Sequence, residues 1–312
     1  MKNSSSQESD TDTKLDIHLK VLTGFMVVAL LAAIYALSRI DQSSVFALEE
    51  PGYLFAALAA QLLLSLYYAL VWRSTLIQCH FPKISFHEAL LQSGIAFLGK
   101  YIPGKVGGLV MRGWTAHRSN PEASSLIKAT TIEQAGLGHS GLVICFLVWA
   151  YQGQSGMRLT WLLLVAASFL VVVFSSSLAN LLKRWCRKYP KIVPLLDAFG
   201  SDFQRPYYRI LILLFIMWLL TAVTLHFCLL GFGVSVPAHE VLYMTCLSYI
   251  AGVALIFLPA GIGAREGMLV FLLGPYCPTS TALAIAGIYR LTTIFLDLAF
   301  GSYALGRYYT RG

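Results

Sequence analysis

Charged side chains stand inside apolar segments of this chain, where a membrane protein has few ways to accommodate them. Five of these are Glu133, Arg265, Glu266, Arg290 and Asp297. Each would cost about 2.5–3.5 kcal/mol at the centre of a lipid-facing helix. They must therefore face one another or water, and cations at such a depth can bind an anionic group such as a lipid phosphate.

A motif of one proline, several glycines and an arginine occurs twice, at Lys100–Arg112 and Phe257–Gly267. In each copy a glycine follows the proline by four residues and an arginine comes later: Pro103, Gly107 and Arg112, then Pro259, Gly263 and Arg265. Proline and glycine interrupt a helix, and broken helices at membrane depth are typical of transport sites.

These motifs and charges make up the candidate site. The predicted hairpin tips are Pro103, Gly104, Gly107, Pro259, Gly261 and Gly263, and the predicted substrate-binding residues are Lys105, Arg112, Glu133, Arg265, Glu266 and Arg290. Cations outnumber anions at the tips, and the half-helix after each break can offer free backbone N–H groups, so an anionic head group is the expected ligand. In the competing interpretation, Glu133 pairs with Arg290, or Glu266 with Arg265 or Arg290, only to hold the bundle together.

The composition excludes a soluble globular domain, with 57% hydrophobic and 12% charged residues and a mean hydropathy of +0.68. Apolar runs long enough to cross a bilayer cover residues 21–37, 53–72, 131–151, 161–182, 210–230 and 281–305. We therefore predict an all-α, polytopic membrane protein with about six full spans. Residues 1–20 are polar and are expected to form a disordered cytoplasmic tail.

The positive charges predict the topology. Seven Lys/Arg lie between Lys183 and Arg209, whereas the predicted outside loops contain only Arg158. This bias places both termini in the cytoplasm. The net charge of +8 is then explained by loops beside anionic lipid, and no nucleic-acid partner is expected.

The same bias predicts that both Pro/Gly motifs are re-entrant hairpins, because a full crossing at the first would place Arg118 and Lys128 outside. The chain then divides into a first membrane repeat at 21–151, with a hairpin at 84–117, and a second at 158–307. The second repeat contains a basic cytoplasmic loop at 183–209 and a hairpin at 241–275.

Each repeat has three full crossings, an odd number, so the second is expected to be inverted relative to the first. The spacing agrees: 30 residues separate Pro103 from Glu133, and 31 separate Pro259 from Arg290.

Other features are expected to be structural. The six cysteines are scattered without CxxC spacing, and we predict no metal site, cofactor or catalytic constellation. His139 is expected to be a hydrogen-bonded core residue. Glycines of one closing helix should mark tight packing (Gly136, Gly138 and Gly141), and tyrosines near the breaks and interfaces should anchor the protein as belt residues (Tyr101, Tyr289, Tyr308 and Tyr309).

The motifs resemble those of the lysylphosphatidylglycerol synthase transmembrane, or flippase-like, family, which includes the membrane half of the bacterial multiple peptide resistance factor. The resemblance rests on Pro103-Gly-Lys-Val-Gly107 with Arg112, Glu133, Pro259-Ala-Gly-Ile-Gly-Ala-Arg-Glu-Gly267 and Arg290-Leu-Thr292. One departure is Ala260, which stands where a Pro-Gly-Gly form is more usual.

The resemblance implies a bacterial inner-membrane flippase or transporter that moves an anionic lipid or a lipid-linked glycan between leaflets. The sequence ends at Gly312, so neither a soluble synthase domain nor lysylphosphatidylglycerol synthesis is expected. Two alternatives stay open. One is an intramembrane enzyme on a lipid carrier with Glu133 or Glu266 as general base; the other is a membrane subunit that recruits a glycosyltransferase or lipid-modifying enzyme through the basic loop.

Overall fold

The structure is a computed structural model that describes residues 48–81, 84–101, 112, 123–153, 155–185, 203–255 and 258–309. Within these ranges the regular structure is helical and contains no strand. The helices are α1 (Gly52–Gln78), α2 (Phe86–Gly99), α3 (Ala123–Gln152), α4 (Ser155–Val173), α5 (Ser175–Trp185), α6 (Gln204–Gly231), α7 (Ala238–Ala254), α8 (Ala264–Leu273) and α9 (Thr279–Tyr309). A short 3₁₀ turn, Pro259–Gly261, lies between α7 and α8.

Four of these helices are long and apolar enough to cross a membrane: α1, α3, α6 and α9. A fifth crossing is possible if α4 and α5 form one span, but they are bent by 59° relative to each other. The segment predicted as a straight span at 161–182 is therefore broken at Phe174. The predicted first span, 21–37, lies outside the described residues.

The three short helices beside the Pro/Gly motifs cannot cross a membrane alone. With 14, 17 and 10 residues, α2, α7 and α8 rise about 21, 26 and 15 Å, less than the roughly 30 Å of a hydrocarbon core. They are the helices that precede or follow the two Pro/Gly motifs. Helix α2 begins with a capping box, in which Ser85 Oγ accepts from Glu88 N at 3.1 Å and Glu88 Oε2 accepts from Ser85 N at 2.9 Å.

The packing of the helices crosses between the halves of the sequence. Helix α1 packs on α6, α2 packs on α9, and α7 packs on α3. Large side chains fill the contact between α1, α3 and α6, among them Trp72, Tyr207 and Trp218, which are all at most 2% exposed. Trp218 Nε1 donates to Ser140 Oγ at 2.9 Å, so the buried indole is satisfied.

Glycines bring some of these helices into close contact. A Cβ on Gly94 of α2 would lie 2.6 Å from the Phe300 carbonyl oxygen of α9, and one on Gly301 would lie 2.3 Å from Leu98 Cγ. The prediction of tight packing is confirmed for Gly136 and Gly141, which contact Leu214 and Trp218 of α6, but it is wrong for Gly138, which has open space around it.

Candidate functional site

A cavity of about 340 Å³ lies between the membrane-length helices and the short helices α2, α7 and α8. Its charged lining consists of Lys100, Arg112, Arg265, Glu266, Arg290 and Asp297. Neutral polar groups such as Gln134 and Thr130 line other parts of the wall, beside apolar side chains. The cavity is thus lined by four of the five charges that the sequence places within apolar segments, Arg265, Glu266, Arg290 and Asp297.

The two Pro/Gly regions meet at this cavity. The Lys100 carbonyl oxygen, at the end of α2, accepts a hydrogen bond from Ala260 N at 3.0 Å. Ala260 O in turn accepts from Arg290 Nη2 at 3.1 Å. Ala260 has φ 51° and Gly261 has φ 70°, a left-handed conformation in which glycine is favoured over other residues. The backbone N–H of Ala260 therefore links the turn to the end of α2, and its carbonyl links the turn to the Arg290 side chain of α9.

A buried ion pair forms one wall. Arg112 Nη1 donates to Glu133 Oε2 at 2.6 Å, and Arg112 Nη2 donates to Glu133 Oε1 at 3.2 Å. Arg112 is 2% exposed and Glu133 is 0% exposed. The Tyr68 hydroxyl donates to Glu133 and accepts from Arg112, while the guanidinium lies 3.7 Å from the centre of the Trp72 ring. This bidentate pair with its aromatic cover is a strongly held structural unit.

A second pair ties the end of α2 to α9. Lys100 Nζ lies 2.6 Å from Asp297 Oδ2, and the Tyr101 hydroxyl donates to the same oxygen at 2.7 Å. Asp297 is 3% exposed; the Lys100 ammonium balances its charge, and the Tyr101 hydroxyl adds a hydrogen bond. Tyr101 is 3% exposed, so its expected role as an interfacial belt residue is wrong. Tyr289, the tyrosine that precedes Arg290 on α9, lines the central cavity.

The third pair joins Glu266 of α8 to Arg290 of α9. Glu266 Oε1 lies 3.1 Å from Arg290 Nε, yet neither atom has a hydrogen-bond partner within the described residues, so the two are close but not aligned. The other oxygen, Glu266 Oε2, accepts from Gly263 N at 2.6 Å. Glu266 is the third residue of α8 after Gly263 and caps its N-terminus. The expectation of free N–H groups for a ligand there is wrong for Gly263, because the protein's own carboxylate occupies that donor.

Arg265 differs from the other three cations. Of the carboxylates that the structure describes, none forms an ion pair with it, and its buried Nε has no hydrogen-bond partner among the described residues. Its guanidinium carbon lies 4.4 Å from the centre of the Tyr249 ring, and its stem passes over Gly252. Arg265 is thus a cation held by an aromatic face in a polar cavity.

The structure brings Arg112, Glu133, Arg265, Glu266 and Arg290 to one cavity or its wall. Of the two pairings considered for Arg290, the structure contains the one with Glu266, while Glu133 pairs with Arg112 instead. The predicted residues Pro103, Gly104, Lys105 and Gly107 lie outside the described residues.

The sequence analysis missed the aromatic and glycine residues that hold these charges: Tyr68, Trp72, Tyr249 and Gly252. One signal was available for the first two, because Tyr68 and Trp72 are four residues apart and so share a face of α1. Gly252 and Tyr249 precede the second break by less than three helical turns, but nothing in the sequence connects them to Arg265.

His139 is hydrogen-bonded, as predicted, but it is half-buried and not part of the core. Its Nδ1 lies 2.6 Å from the Tyr207 hydroxyl and its Nε2 lies 2.9 Å from Ser168 Oγ. The ring therefore joins α3, α4 and α6 away from the central cavity.

Membrane-length helices around a charged internal cavity define a polytopic helical membrane protein. The sequence matches the family described as the lysylphosphatidylglycerol synthase TM region over residues 19–301. This match covers most of the 312 residues, and the chain therefore belongs to that family. Membership connects the protein with membrane lipids. A comparison with curated protein sequences gave no match.

Proposed function

We propose that the protein is a lipid flippase or transporter of the bacterial inner membrane, which moves an anionic or glycan-linked lipid between leaflets. The head group enters the central cavity while the acyl chains stay in the bilayer. At about 340 Å³ the cavity is at the small end of the range for ligand sites, roughly 300–1,000 Å³. It suits a head group and not a whole lipid.

One observation carries this proposal, the state of Arg265. A cation inside a membrane bundle is normally paired, since its desolvation is costly. Arg112, Lys100 and Arg290 each lie beside a carboxylate, whereas Arg265 has the Tyr249 ring and no described carboxylate. A phosphate would supply the missing charge. Arg290, whose Nε has no described hydrogen-bond partner, is the second candidate ligand.

The pairing of charges supports an inverted repeat, whereas the proposed cytoplasmic position of both termini rests on the distribution of Lys and Arg along the sequence. In the first half the arginine follows the break and the glutamate is on the closing helix, as Arg112 and Glu133. In the second half the glutamate follows the break and the arginine is on the closing helix, as Glu266 and Arg290. The contacts of α2 with α9 and of α7 with α3 are those that an exchange of the two halves would interconvert. Alternating access would then follow from such an exchange.

The contacts of the two glutamates argue against the enzyme alternative. Both Glu133 oxygens accept from Arg112, and one also accepts from Tyr68. Glu266 caps α8 and faces Arg290. A general base needs a lone pair available to the substrate proton. Both oxygens of Glu133 are already engaged, and Glu266 Oε1, which accepts no described hydrogen bond, lies 3.1 Å from the Arg290 cation, which disfavours its protonation. The recruitment alternative rests on the basic loop 183–209, most of which lies outside the described residues.

The test is lipid exchange in liposomes that contain the purified protein. Acyl-labelled anionic lipids and labelled polyprenyl phosphates are placed in both leaflets, and the outer label is quenched chemically. Wild type should expose the inner label to the quencher, and Arg265→Gln should reduce the rate at least tenfold. Arg158→Gln, at an exposed arginine, is the matched control and should exchange lipid at the wild-type rate.

Two results would overturn the proposal. One is equal background exchange in empty liposomes, wild type and Arg265→Gln for every lipid. The other is a new lipid product detected by mass spectrometry without exchange, which would favour the enzyme.

A further inference from the structure

Helix α5 has an apolar side that is exposed to its surroundings. Of its 11 residues, all of which the structure describes, Ala179 alone is buried. Four large apolar side chains of the helix are 41–83% exposed: Leu178, Leu181, Leu182 and Trp185. At 3.6 residues per turn, these four fall within an arc of about 100° on the helix surface. They therefore form one continuous apolar side.

The other side of α5 is polar and basic. It carries Asn180, and the last turn of the helix carries Lys183 and Arg184. Three more cations follow closely in the sequence: Arg187, Lys188 and Lys191. A helix with leucine and tryptophan on one side and lysine and arginine on the other is typical of helices that lie in the interface of a membrane with anionic lipids.

The geometry of α4 brings α5 to such an interface. Helix α4 has 19 residues and rises about 28 Å, close to the roughly 30 Å of a hydrocarbon core. Helix α5 is bent by 59° from it, so over its length of about 16 Å it advances only about 8 Å along the direction of α4. A crossing by α4 therefore leaves α5 at the edge of the core.

We infer that α5 lies in the plane of the membrane interface, with its apolar side among the acyl chains and its cations on the head groups of anionic lipids. Tryptophan is enriched at this level of a bilayer, and Trp185 ends the helix. Lysine and arginine beside the surface attract anionic lipid. The inference does not rest on the proposed function, since none of the described residues of α5 lines the central cavity.

The competing arrangement is a kinked span in which α5 continues through the hydrocarbon. Asn180 and Arg184 are both exposed, so in that arrangement they would face lipid. An arginine that faces hydrocarbon is costly, whereas at the interface its guanidinium reaches the head groups while its stem covers apolar surface. The exposed polar side thus favours the interface.

The test is a fluorescence scan of the full-length protein in vesicles. One fluorophore is attached in turn to Leu181→Cys, Trp185→Cys, Ser176→Cys and Asn180→Cys. The background is Cys186→Ser, Cys277→Ser protein, because the other four cysteines are buried: Cys79, Cys145, Cys228 and Cys246. Two quenchers report the surroundings of each position, lipids with brominated acyl chains and acrylamide in the water.

We expect brominated lipid to quench the fluorophore at the Leu181 and Trp185 positions, and acrylamide to quench it at the Ser176 and Asn180 positions. Quenching by brominated lipid at all four positions would show a kinked span. Its absence at the Leu181 and Trp185 positions would show that protein or water covers the apolar side. Either result would overturn the inference.

The preference for anionic lipid is measured with the fluorophore at Leu181→Cys. Vesicles contain phosphatidylglycerol and phosphatidylcholine, and either one or the other is brominated. We expect brominated phosphatidylglycerol to quench more strongly. Arg184→Gln should lower the relative affinity for it about fivefold, and Arg158→Gln, at the opposite end of α4, should leave it unchanged. Equal quenching by the two lipids before any charge is removed would contradict the binding of anionic lipid.

Discussion

Gly252 makes the space in which Arg265 lies. A Cβ on Gly252 would be 2.5 Å from Arg265 Cγ and 2.7 Å from its Nε. Gly261 lies against Gly252, since its Cβ would be 2.8 Å from Gly252 Cα and 3.1 Å from Arg265 Nε. The arginine therefore packs beside two adjacent glycines, one on α7 and one in the turn, and its guanidinium lies against the Tyr249 ring.

Gly252→Ala should therefore displace Arg265 without changing any charge. We expect the rate of lipid exchange to fall at least tenfold, because the guanidinium can no longer lie against Tyr249. The measurement is the liposome assay together with size-exclusion chromatography to confirm folding. Gly267→Ala is the matched control, since its Cβ would meet nothing within 4 Å. Full activity of Gly252→Ala would show that the position of Arg265 does not matter.

The buried Arg112 and Glu133 pair gives a prediction about stability. Arg112→Gln or Glu133→Gln leaves one charge buried without its partner, which should cost about 3–5 kcal/mol. The double variant Arg112→Met, Glu133→Leu should be more stable than either single variant, because it leaves no uncompensated charge. Unfolding in mixed micelles measures these differences, with Arg205→Gln at the exposed start of α6 as the control. A double variant that is no more stable than either single variant would contradict the coupling.

The sequence predicted the helical class and four of the long helices, because runs of apolar residues at membrane length are a strong local signal. It also predicted that Arg265, Glu266 and Arg290 share a site, since their cost in lipid requires it. It could not predict that Glu133 pairs with Arg112, because the pairing depends on which faces of the helices pack against each other in the fold. A pair of Glu133 with Arg112 and a pair of Glu133 with Arg290 are equally compatible with the sequence.

Two further features were missed in the sequence analysis. The bend at Phe174 has no proline or glycine beside it, but it is followed by Ser175–Ser177, whose side chains compete for backbone hydrogen bonds and favour a helix end. The capping of α8 by Glu266 was readable in principle, because glutamate three residues after Gly263 fits the N3 position. Glu266 was instead predicted to bind substrate, because it belongs to the second Pro/Gly motif.

The contact between α2 and α9 predicts a ranking of three glycine substitutions. Gly94→Ala should destabilise most, by roughly 1–3 kcal/mol, because its Cβ meets the Phe300 backbone, which cannot move alone. Gly301→Ala should destabilise less, since its Cβ meets the side chain of Leu98. Gly306→Ala on the same helix meets nothing within 4 Å and should be neutral or slightly stabilising. Unfolding in micelles tests the ranking, and equal effects at all three positions would contradict it.

Cys277, in the loop between α8 and α9, reports both topology and burial. Partial burial raises the pKa of its thiol, so less thiolate is present at neutral pH than for an exposed cysteine. Because the thiolate reacts with maleimides, labelling should be slow at pH 7 and rise by about tenfold per pH unit below the pKa. We use Cys186→Ser protein, which lacks the cysteine of the predicted cytoplasmic loop. We expect a membrane-impermeant maleimide to label Cys277 of this protein from outside intact cells. Labelling only after permeabilisation would contradict the proposed topology.

Ala260 tests the energetics of the break itself. Its φ of 51° is a left-handed conformation that costs a non-glycine residue about 1–2 kcal/mol. Its methyl group, however, is buried with Tyr101 and Ile294, and burial of a methyl or methylene group contributes about 0.8 kcal/mol. The two terms nearly cancel, so Ala260→Gly should change the free energy of unfolding by less than about 1 kcal/mol. Ala260→Val should destabilise strongly, because a β-branched side chain tolerates this conformation poorly and the site is already filled. Unfolding in micelles distinguishes these outcomes. A large loss for Ala260→Gly would mean that the methyl contact, and not the backbone conformation, dominates at the break.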